Sequence, residues 1–147
     1  MYFKDKYDFL SNMYPCDIKI NVNRNTYTFT CVESSFQSLK DLSRTKEFEG
    51  LSGYQSKKLG RKVNLRKDWE IVKVDLMRNL VKQKFSNPEL SKKLLEIEGE
   101  IEETNLWHDT FWGVSYGKGK NILGLILMEV RDEIKKNGST KFQDTFN

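Results

Sequence analysis

Near its start the chain shows a regular alternation of apolar and polar residues. Apolar residues occupy every second position from Ile18 to Val22, and the same period of two returns in residues 26–29 after the polar run at 23–25. A period of two is typical of a β-strand with one buried face, and a short polar break between two such runs is typical of a hairpin turn. The sequence therefore predicts an antiparallel β-hairpin.

Helical spacing follows the hairpin. Apolar residues recur three or four positions apart in residues 33–42, and again in residues 68–85, where no glycine or proline intervenes. The run Asn87-Pro88-Glu89 combines an N-cap, a proline in the first turn and an early acid. These features predict three helices, the third of which runs to about Gly99.

The remaining third of the chain predicts one further helix. Residues 104–119 mix aromatic residues with glycines without a helical period, which indicates a loop or a short strand. Asn121 then stands as the expected N-cap of a helix over residues 122–136. We expect an α+β fold: a single, mostly helical domain with a small antiparallel sheet, covering residues 1–137, followed by a flexible polar tail at 138–147.

Composition excludes several classes of protein. The 147 residues are 37% hydrophobic and 31% charged, which is the size and balance of one globular domain. No run of about 18 uncharged apolar residues is available for a membrane helix. Cys16, Cys31 and the single histidine, His108, form no recognisable zinc set or disulfide framework. We expect a soluble, cytoplasmic protein with no metal, other cofactor, membrane contact or obligate protein partner.

Charge is distributed unevenly along the chain. The net charge is only +4, but residues 57–84 hold ten basic and three acidic residues, whereas residues 86–110 hold two basic and seven acidic. Such blocks are commonly solvated helix faces, and the basic block also suits an anionic ligand. Charge alone leaves both interpretations open.

One candidate catalytic group lies in the first predicted helix. Glu33, Gln37 and Lys40 occupy positions i, i+4 and i+7, which place a carboxylate, an amide and an amine on one helical face. On an exposed flank this spacing has no consequence. If the face is partly buried, desolvation lowers the pKa of the lysine, and the free amine can attack an anomeric or aldehyde carbon to form a Schiff base.

Two arginines precede the long helix. Arg61 and Arg66 lie in a basic run with Lys57, Lys58 and Lys62. A guanidinium fork is well suited to phosphate or pyrophosphate, but no phosphate-loop pattern accompanies the pair. A basic surface turn with one structural salt bridge explains these residues equally well.

The stretch from Glu103 to Gly113 has the most unusual composition. Trp107 and Trp112 bracket Asp109, and Asn105 lies just ahead of them. Flat indoles beside carboxylates and an amide can sandwich a base or sugar ring and supply general acid and base groups. The alternative is that both tryptophans are part of the core.

Several ordered segments together carry a family resemblance. They are FLSNMYP at 9–15, VESSFQSLK at 32–40, GR at 60–61, LRKDW at 65–69, KFSNPEL at 84–90, ETNLWHDTFWG at 103–113 and NILGLILMEVR at 121–131. The chain resembles the NADAR family, also described as YbiA-like, over nearly its whole length. Ser34 and Ser35 stand where aromatic or histidine residues often occur in the family, which leaves the choice of substrate open.

The resemblance implies a mostly helical α+β fold and an N-glycosidase activity. The bond cleaved joins a base nitrogen to the anomeric carbon of a ribose. Two substrate classes are associated with the family: phosphorylated ribosylamino-pyrimidine intermediates of riboflavin synthesis, and ADP-ribose attached to guanine in nucleic acid. We therefore expect a phosphorylated ribosyl or ADP-ribosyl substrate, with ADP-ribosylated nucleic acid as one form of it.

The resemblance also suggests a role for each candidate. Lys40 is the expected nucleophile, held by Glu33, and Asp109 and Glu103 are candidates for protonating the base and activating water. The expected substrate-binding residues are Asn12, Gln37, Arg61, Arg66, Asn105, Trp107 and Trp112. A non-catalytic module that binds ADP-ribose or a nucleotide is the competing interpretation, and a basic nucleic-acid binder is a third.

Overall fold

A computed structural model describes residues 1–147. The chain forms two compact units, each built from two separate stretches of sequence. Residues 12–84 and 141–147 form one, which we call the hairpin unit. Residues 1–11 and 85–140 form the other, which we call the loop unit. The fold is mostly helical with a small antiparallel sheet, as the sequence predicts.

The antiparallel sheet lies in the hairpin unit. Strand β1 (Ile18–Val22) pairs with strand β2 (Asn25–Phe29), and Ile18 lies opposite Phe29. The two turn residues, Asn23 and Arg24, have φ values of 51° and 68°. Positive φ at both positions matches the right-handed twist of the strands. The predicted hairpin is confirmed.

The first helix is shorter than its periodicity suggests. Helix α1 (Val32–Ser38) is buried along its whole length and ends four residues before the predicted limit at Leu42. The chain then turns, and the side chain of Asp41 accepts a hydrogen bond from the amide of Ser43 at 3.2 Å. Asp41 thereby caps a separate 3-10 helix (Leu42–Phe48), so the prediction of one continuous helix over residues 33–42 is wrong.

Two further helices complete the hairpin unit. Helix α2 (Gly53–Gly60) begins with a capping box formed by Ser52 and Gln55, and its buried residues, Gly53, Ser56 and Gly60, are small enough for close packing against α1. Helix α3 (Trp69–Lys84) is the predicted long helix and is confirmed.

The C-terminal segment 141–147 extends along the hairpin. The amide of Asn21 donates to the carbonyl of Asp144 at 2.7 Å, and the amide of Phe146 donates to the carbonyl of Asn21 at 2.9 Å. Thr145 thereby pairs in parallel with Asn21 of β1, and Phe146 is buried. The segment that the sequence marks as a polar tail thus provides a backbone partner for the outer edge of the sheet.

The loop unit contains the remaining elements. Helix α4 (Pro88–Leu95) is capped by the side chain of Asn87, as predicted, but ends before Gly99. Two short strands, β3 (Thr104–Asn105) and β4 (Val114–Ser115), pair in parallel and precede helix α5 (Ile122–Asn137).

Asn121 does not cap α5. Its φ is 54° and its side chain forms no capping hydrogen bond. Instead, Oδ1 accepts from the amide of Glu103 at 2.9 Å and Nδ2 donates to the carbonyl of Ile101 at 2.9 Å. The prediction that Asn121 caps α5 is wrong because these two backbone groups, which are remote in sequence, bond both the oxygen and the nitrogen of its side-chain amide.

Candidate functional site

In the hairpin unit, α1 brings Glu33 and Gln37 together. Gln37 Nε2 donates to Glu33 Oε1 at 2.8 Å, and both side chains are buried. The amide oxygen of Gln37 is buried without a hydrogen-bond partner. Gly60 of α2 faces this amide so closely that only a hydrogen atom fits there. The pair is therefore fixed in position by packing as well as by its hydrogen bond.

Lys40 lies in the turn after α1 and is half-buried. Burial lowers the pKa of its amine, and the nearby cations Arg61, Lys57 and Lys73 lower it further, while Glu33 acts in the opposite direction. The ammonium lies over the ring of Trp69, 5.8 Å from the ring centre. Lys40 therefore holds a larger fraction of neutral, nucleophilic amine than an exposed lysine does.

Asn12 lies at the start of α1. Its carbonyl accepts a hydrogen bond from the amide of Glu33 at 2.9 Å, and its Nδ2 lies 3.6 Å from the sulfur of Met77. The structure thus places Asn12 in the same unit as Glu33, Gln37 and Lys40.

The two candidate arginines have different surroundings. Arg61 follows the last residue of α2, is exposed and forms no ion pair. Arg66 is largely buried and forms a bidentate salt bridge with Asp68, with N–O distances of 2.6 and 3.1 Å. Arg61 has its guanidinium available for an anion, whereas Arg66 combines with a carboxylate of its own chain.

In the loop unit, Asn105 organises the stretch that contains the acids and indoles. Its Oδ1 accepts from the amides of Trp107 (3.3 Å) and Asp109 (3.1 Å), and its Nδ2 donates to Glu103 Oε2 (2.8 Å) and to the carbonyl of Asp109 (2.9 Å). Asn105 is fully buried. All four of its hydrogen-bonding positions serve to shape the loop.

The two carboxylates of this loop are held at fixed places. Asp109 Oδ1 accepts from the amides of Phe111 and Trp112 at 3.1 and 2.9 Å. Glu103 is held by Asn105, and a Cβ at Gly113 would overlap its carboxylate. Glycine is therefore required at position 113 so that the backbone can approach Glu103.

The two indoles differ in exposure. Trp107 is 62% exposed, so the interpretation of this tryptophan as a core residue is wrong. Trp112 is half-buried and packs edge-on against Phe111, with ring centres 4.9 Å apart. His108 stacks on Tyr116 at 5.2 Å. Trp107 thus presents an open aromatic face that can stack on a planar ring.

Spacing along the sequence reveals only part of these surroundings. Trp69 and Lys73 lie beside Lys40 although about thirty residues separate them in the chain. The only sequence signal that includes Trp69 is the segment LRKDW at 65–69, one of the segments that carry the family resemblance. No group of three or more His, Cys, Asp or Glu has the geometry of a metal site in residues 1–147, and no helix there has the length and apolarity needed to cross a membrane.

Comparison with known proteins gives one consistent picture. Residues 1–135 match the NADAR domain. The chain is 34% identical over 137 residues to N-glycosidase YbiA of Shigella flexneri, covering 88% of this chain and 83% of that protein. It superimposes on the NMR structure of the Escherichia coli protein YbiA with a TM-score of 0.79 and 32% identity, covering 94% of this chain and 84% of the other.

A second group of relatives carries a different name. The chain is 35% identical over 144 residues to riboflavin biosynthesis protein VVA0006 of Vibrio vulnificus, covering 90% of this chain. It spans only 37% of the length of that protein. Both groups of relatives share this one domain. Together with the match over residues 1–135, they show that the chain belongs to the NADAR family.

Proposed function

We propose that the protein is an N-glycosidase that hydrolyses the bond between a base nitrogen and the anomeric carbon of a phosphoribosyl or ADP-ribosyl group. The observation that carries the proposal is the half-buried amine of Lys40, whose pKa is lowered, in the same unit as the buried carboxylate of Glu33. Relatives over most of the chain are named N-glycosidases, which supports the same reaction class.

Lys40 is the nucleophile in this proposal. The lone pair of the neutral Nζ forms a bond to the anomeric carbon, the C–N bond to the base breaks, and its electron pair stays on the base nitrogen. A proton from an acid neutralises that nitrogen. Nζ then loses a proton, the bond between the anomeric carbon and the ring oxygen breaks, and the ring oxygen takes up a proton. The resulting Schiff base is hydrolysed by water to free sugar and free amine.

Glu33 positions the amine and favours its protonated form, since it raises the pKa of Lys40 against the stronger effect of burial. Gln37 in turn fixes Glu33. Burial thus favours the neutral, nucleophilic form of the Lys40 amine, and Glu33 favours the protonated form. Gln37 and Asn12 are further candidates for hydrogen bonds to the sugar.

Glu103 and Asp109 are the proposed proton donor and water-activating base. Each carboxylate is already oriented by hydrogen bonds, and a correctly positioned acid or base typically contributes about 10²–10⁴ in rate. Trp107, which has an exposed face, is the proposed stacking partner of the base, and Trp112 is a second candidate for binding the substrate. Asn105 acts on the substrate through the residues that it holds.

Phosphate binding falls chiefly to Arg61. Its exposed guanidinium lies near Lys40, as its effect on the pKa of that amine indicates. Lys57, Lys58, Lys62 and Lys67 add four further cations without an ion pair. Such a surface accommodates the phosphate of a riboflavin intermediate or the pyrophosphate of an ADP-ribosyl group on guanine.

The test is to trap the intermediate. Protein is incubated with each substrate class under borohydride, and peptides are analysed by mass spectrometry for a ribosyl adduct. We expect the adduct on Lys40 and its loss, together with loss of base release, in Lys40→Ala. Lys46→Ala, which removes an exposed lysine of the same unit, is the matched control and should retain both.

Full turnover by Lys40→Ala would exclude Lys40 as the nucleophile. If the wild-type protein binds ADP-ribose but releases no base from either substrate class, the non-catalytic binding module is the correct function. That module would depend on Arg61 and Trp107 and would be unaffected by Lys40→Ala.

A further inference from the structure

We propose that Arg66 is a positioning residue for Lys40 and that the C-terminal segment 141–147 holds Arg66 in this role. The proposal rests on the proposed function, because it concerns the reaction that Lys40 carries out. It replaces the expectation that Arg66 binds the phosphate of the substrate.

Arg66 binds the turn that carries Lys40. Helix α1 ends at Ser38, so the carbonyls of Leu39 and Lys40 lie beyond its hydrogen-bond ladder. The amide of Arg66 donates to the carbonyl of Lys40 at 2.9 Å, and its Nη1 donates to the carbonyl of Leu39 at 3.4 Å. A cation at this end of a helix is also favoured by the helix dipole. One residue thus fixes two successive peptide groups of the turn.

The other donors of the Arg66 guanidinium are engaged as well. Nε and one Nη2 hydrogen bind Asp68, and Nη2 also donates to the carbonyl of Asn147 at 2.7 Å. With the bond to Leu39, four of the five N–H groups are used. Little capacity is left for a phosphate, in contrast to the unpaired Arg61.

The residues after Arg66 contact the other end of Lys40. The amide of Trp69 donates to the carbonyl of Arg66 at 3.2 Å, and the indole of Trp69 lies under the Lys40 ammonium. Trp69 is itself buried and packs on Phe36 of α1, with ring centres 4.9 Å apart. The segment 66–69 therefore holds Lys40 by its backbone and by its amine.

The C-terminal segment completes the arrangement. Phe146 is buried, and its amide is bonded to β1, which leaves the adjacent Asn147 carbonyl fixed against Arg66. We therefore expect that weakening the Phe146 anchor loosens Arg66 and, through it, the turn at Lys40.

The experiment compares Arg66→Lys with Arg61→Lys, using a phosphorylated substrate and its dephosphorylated form. Lysine keeps the charge but cannot bind three partners with a planar fork. We expect Arg66→Lys to lower kcat by about tenfold or more on both forms with an unchanged KM, since small displacements of a reacting group have large effects on rate. Arg61→Lys should raise KM for the phosphorylated form only. A rise in KM confined to the phosphorylated form in Arg66→Lys, or an unchanged kcat, would overturn the proposal.

A second readout needs no turnover. The pKa of Lys40 is measured by NMR titration of ¹⁵N-lysine protein without substrate. In Arg66→Lys we expect it to move toward the ordinary lysine value, because a loosened turn exposes the amine. An unchanged Lys40 titration would overturn the proposal that Arg66 positions Lys40, whereas full turnover by Lys40→Ala would exclude Lys40 as the nucleophile whatever its titration shows.

Phe146→Leu is the second variant, in case Arg66→Lys does not fold. Leucine preserves the burial of the anchor approximately and leaves Arg66 intact. We expect a fall of about two- to tenfold in kcat at constant KM, with a circular-dichroism spectrum like that of the wild type. An unchanged kcat in this variant would overturn the role of segment 141–147.

Discussion

The close approach of Gly60 to Gln37 makes Gly60→Ala a sensitive test of how the hairpin unit is packed. A Cβ at this position would lie 2.0 Å from Gln37 Oε1 and 3.0 Å from its Cδ. Gln37 is buried, so its amide can yield only by moving within a packed site, and we expect its bond to Glu33 to break. The variant therefore removes the hydrogen bond from Gln37 that holds the candidate catalytic carboxylate, Glu33.

The size of the effect follows from three contributions. Overpacking of a buried site costs about 1–3 kcal/mol, and loss of a hydrogen bond to a charged acceptor costs about 1.5–3 kcal/mol. Alanine returns at most about 1 kcal/mol through its higher helix propensity. Together these contributions predict that the free energy of unfolding falls by about 1.5–5 kcal/mol.

Urea unfolding measures this loss of stability in two proteins, the wild type and the Gln37→Ala variant. The cost of Gly60→Ala is determined in the wild type and in Gln37→Ala, where the colliding amide is gone. We expect the cost to fall below about 1 kcal/mol in the second background. Lys58→Ala, on the exposed face of the same helix, should stay within about 0.5 kcal/mol of the wild type. The same cost of Gly60→Ala in both backgrounds would refute the reasoning.

Three further predictions follow from the same contacts. Glu33→Gln should lower the pKa of Lys40 further, because Glu33 is the group that raises it; an NMR titration that shows an upward shift would contradict this. Lys40→Met should be more stable than the wild type near neutral pH, with a difference that shrinks as pH rises toward the ordinary lysine value of 10.5. The unfolded chain binds more protons than the folded one in that window, so wild-type stability increases with pH there; urea unfolding at several pH values would reveal a constant difference if burial of the amine is unimportant. Asn105→Ala should destabilise the protein by about 2 kcal/mol and speed amide hydrogen exchange at Trp107 and Asp109, since it leaves the part-buried amides of both residues without their bond to Asn105. Unchanged exchange would argue against its role in shaping the loop.

Local signals in the sequence predict much of this fold. Alternating apolar residues predict the hairpin, and an uninterrupted helical period of apolar residues predicts α3. The capping side chain of Asn87 predicts the start of α4. In each case the determining groups lie within a few residues of one another. Such elements can be predicted from the sequence because the interactions that determine them are local.

Interactions between distant segments account for several features that the sequence did not predict. The side chain of Asn121 leaves the start of α5 for backbone groups about twenty residues earlier. Nη2 of Arg66 donates to the backbone carbonyl of Asn147, 81 residues further along the chain. The candidate residues Glu33, Gln37 and Lys40 were identifiable by spacing, but the burial that changes the pKa of Lys40 comes from elements folded around it.

The discontinuous composition of each unit has a consequence for biosynthesis. Residues 1–11 leave the ribosome before the hairpin unit does, yet they belong to a unit whose other residues extend to 140. The hairpin unit likewise needs its final seven residues, whose backbone groups bond to β1. Each unit can therefore reach its complete set of contacts only after most of residues 1–147 have left the ribosome, and these contacts between distant segments are expected to form late in folding.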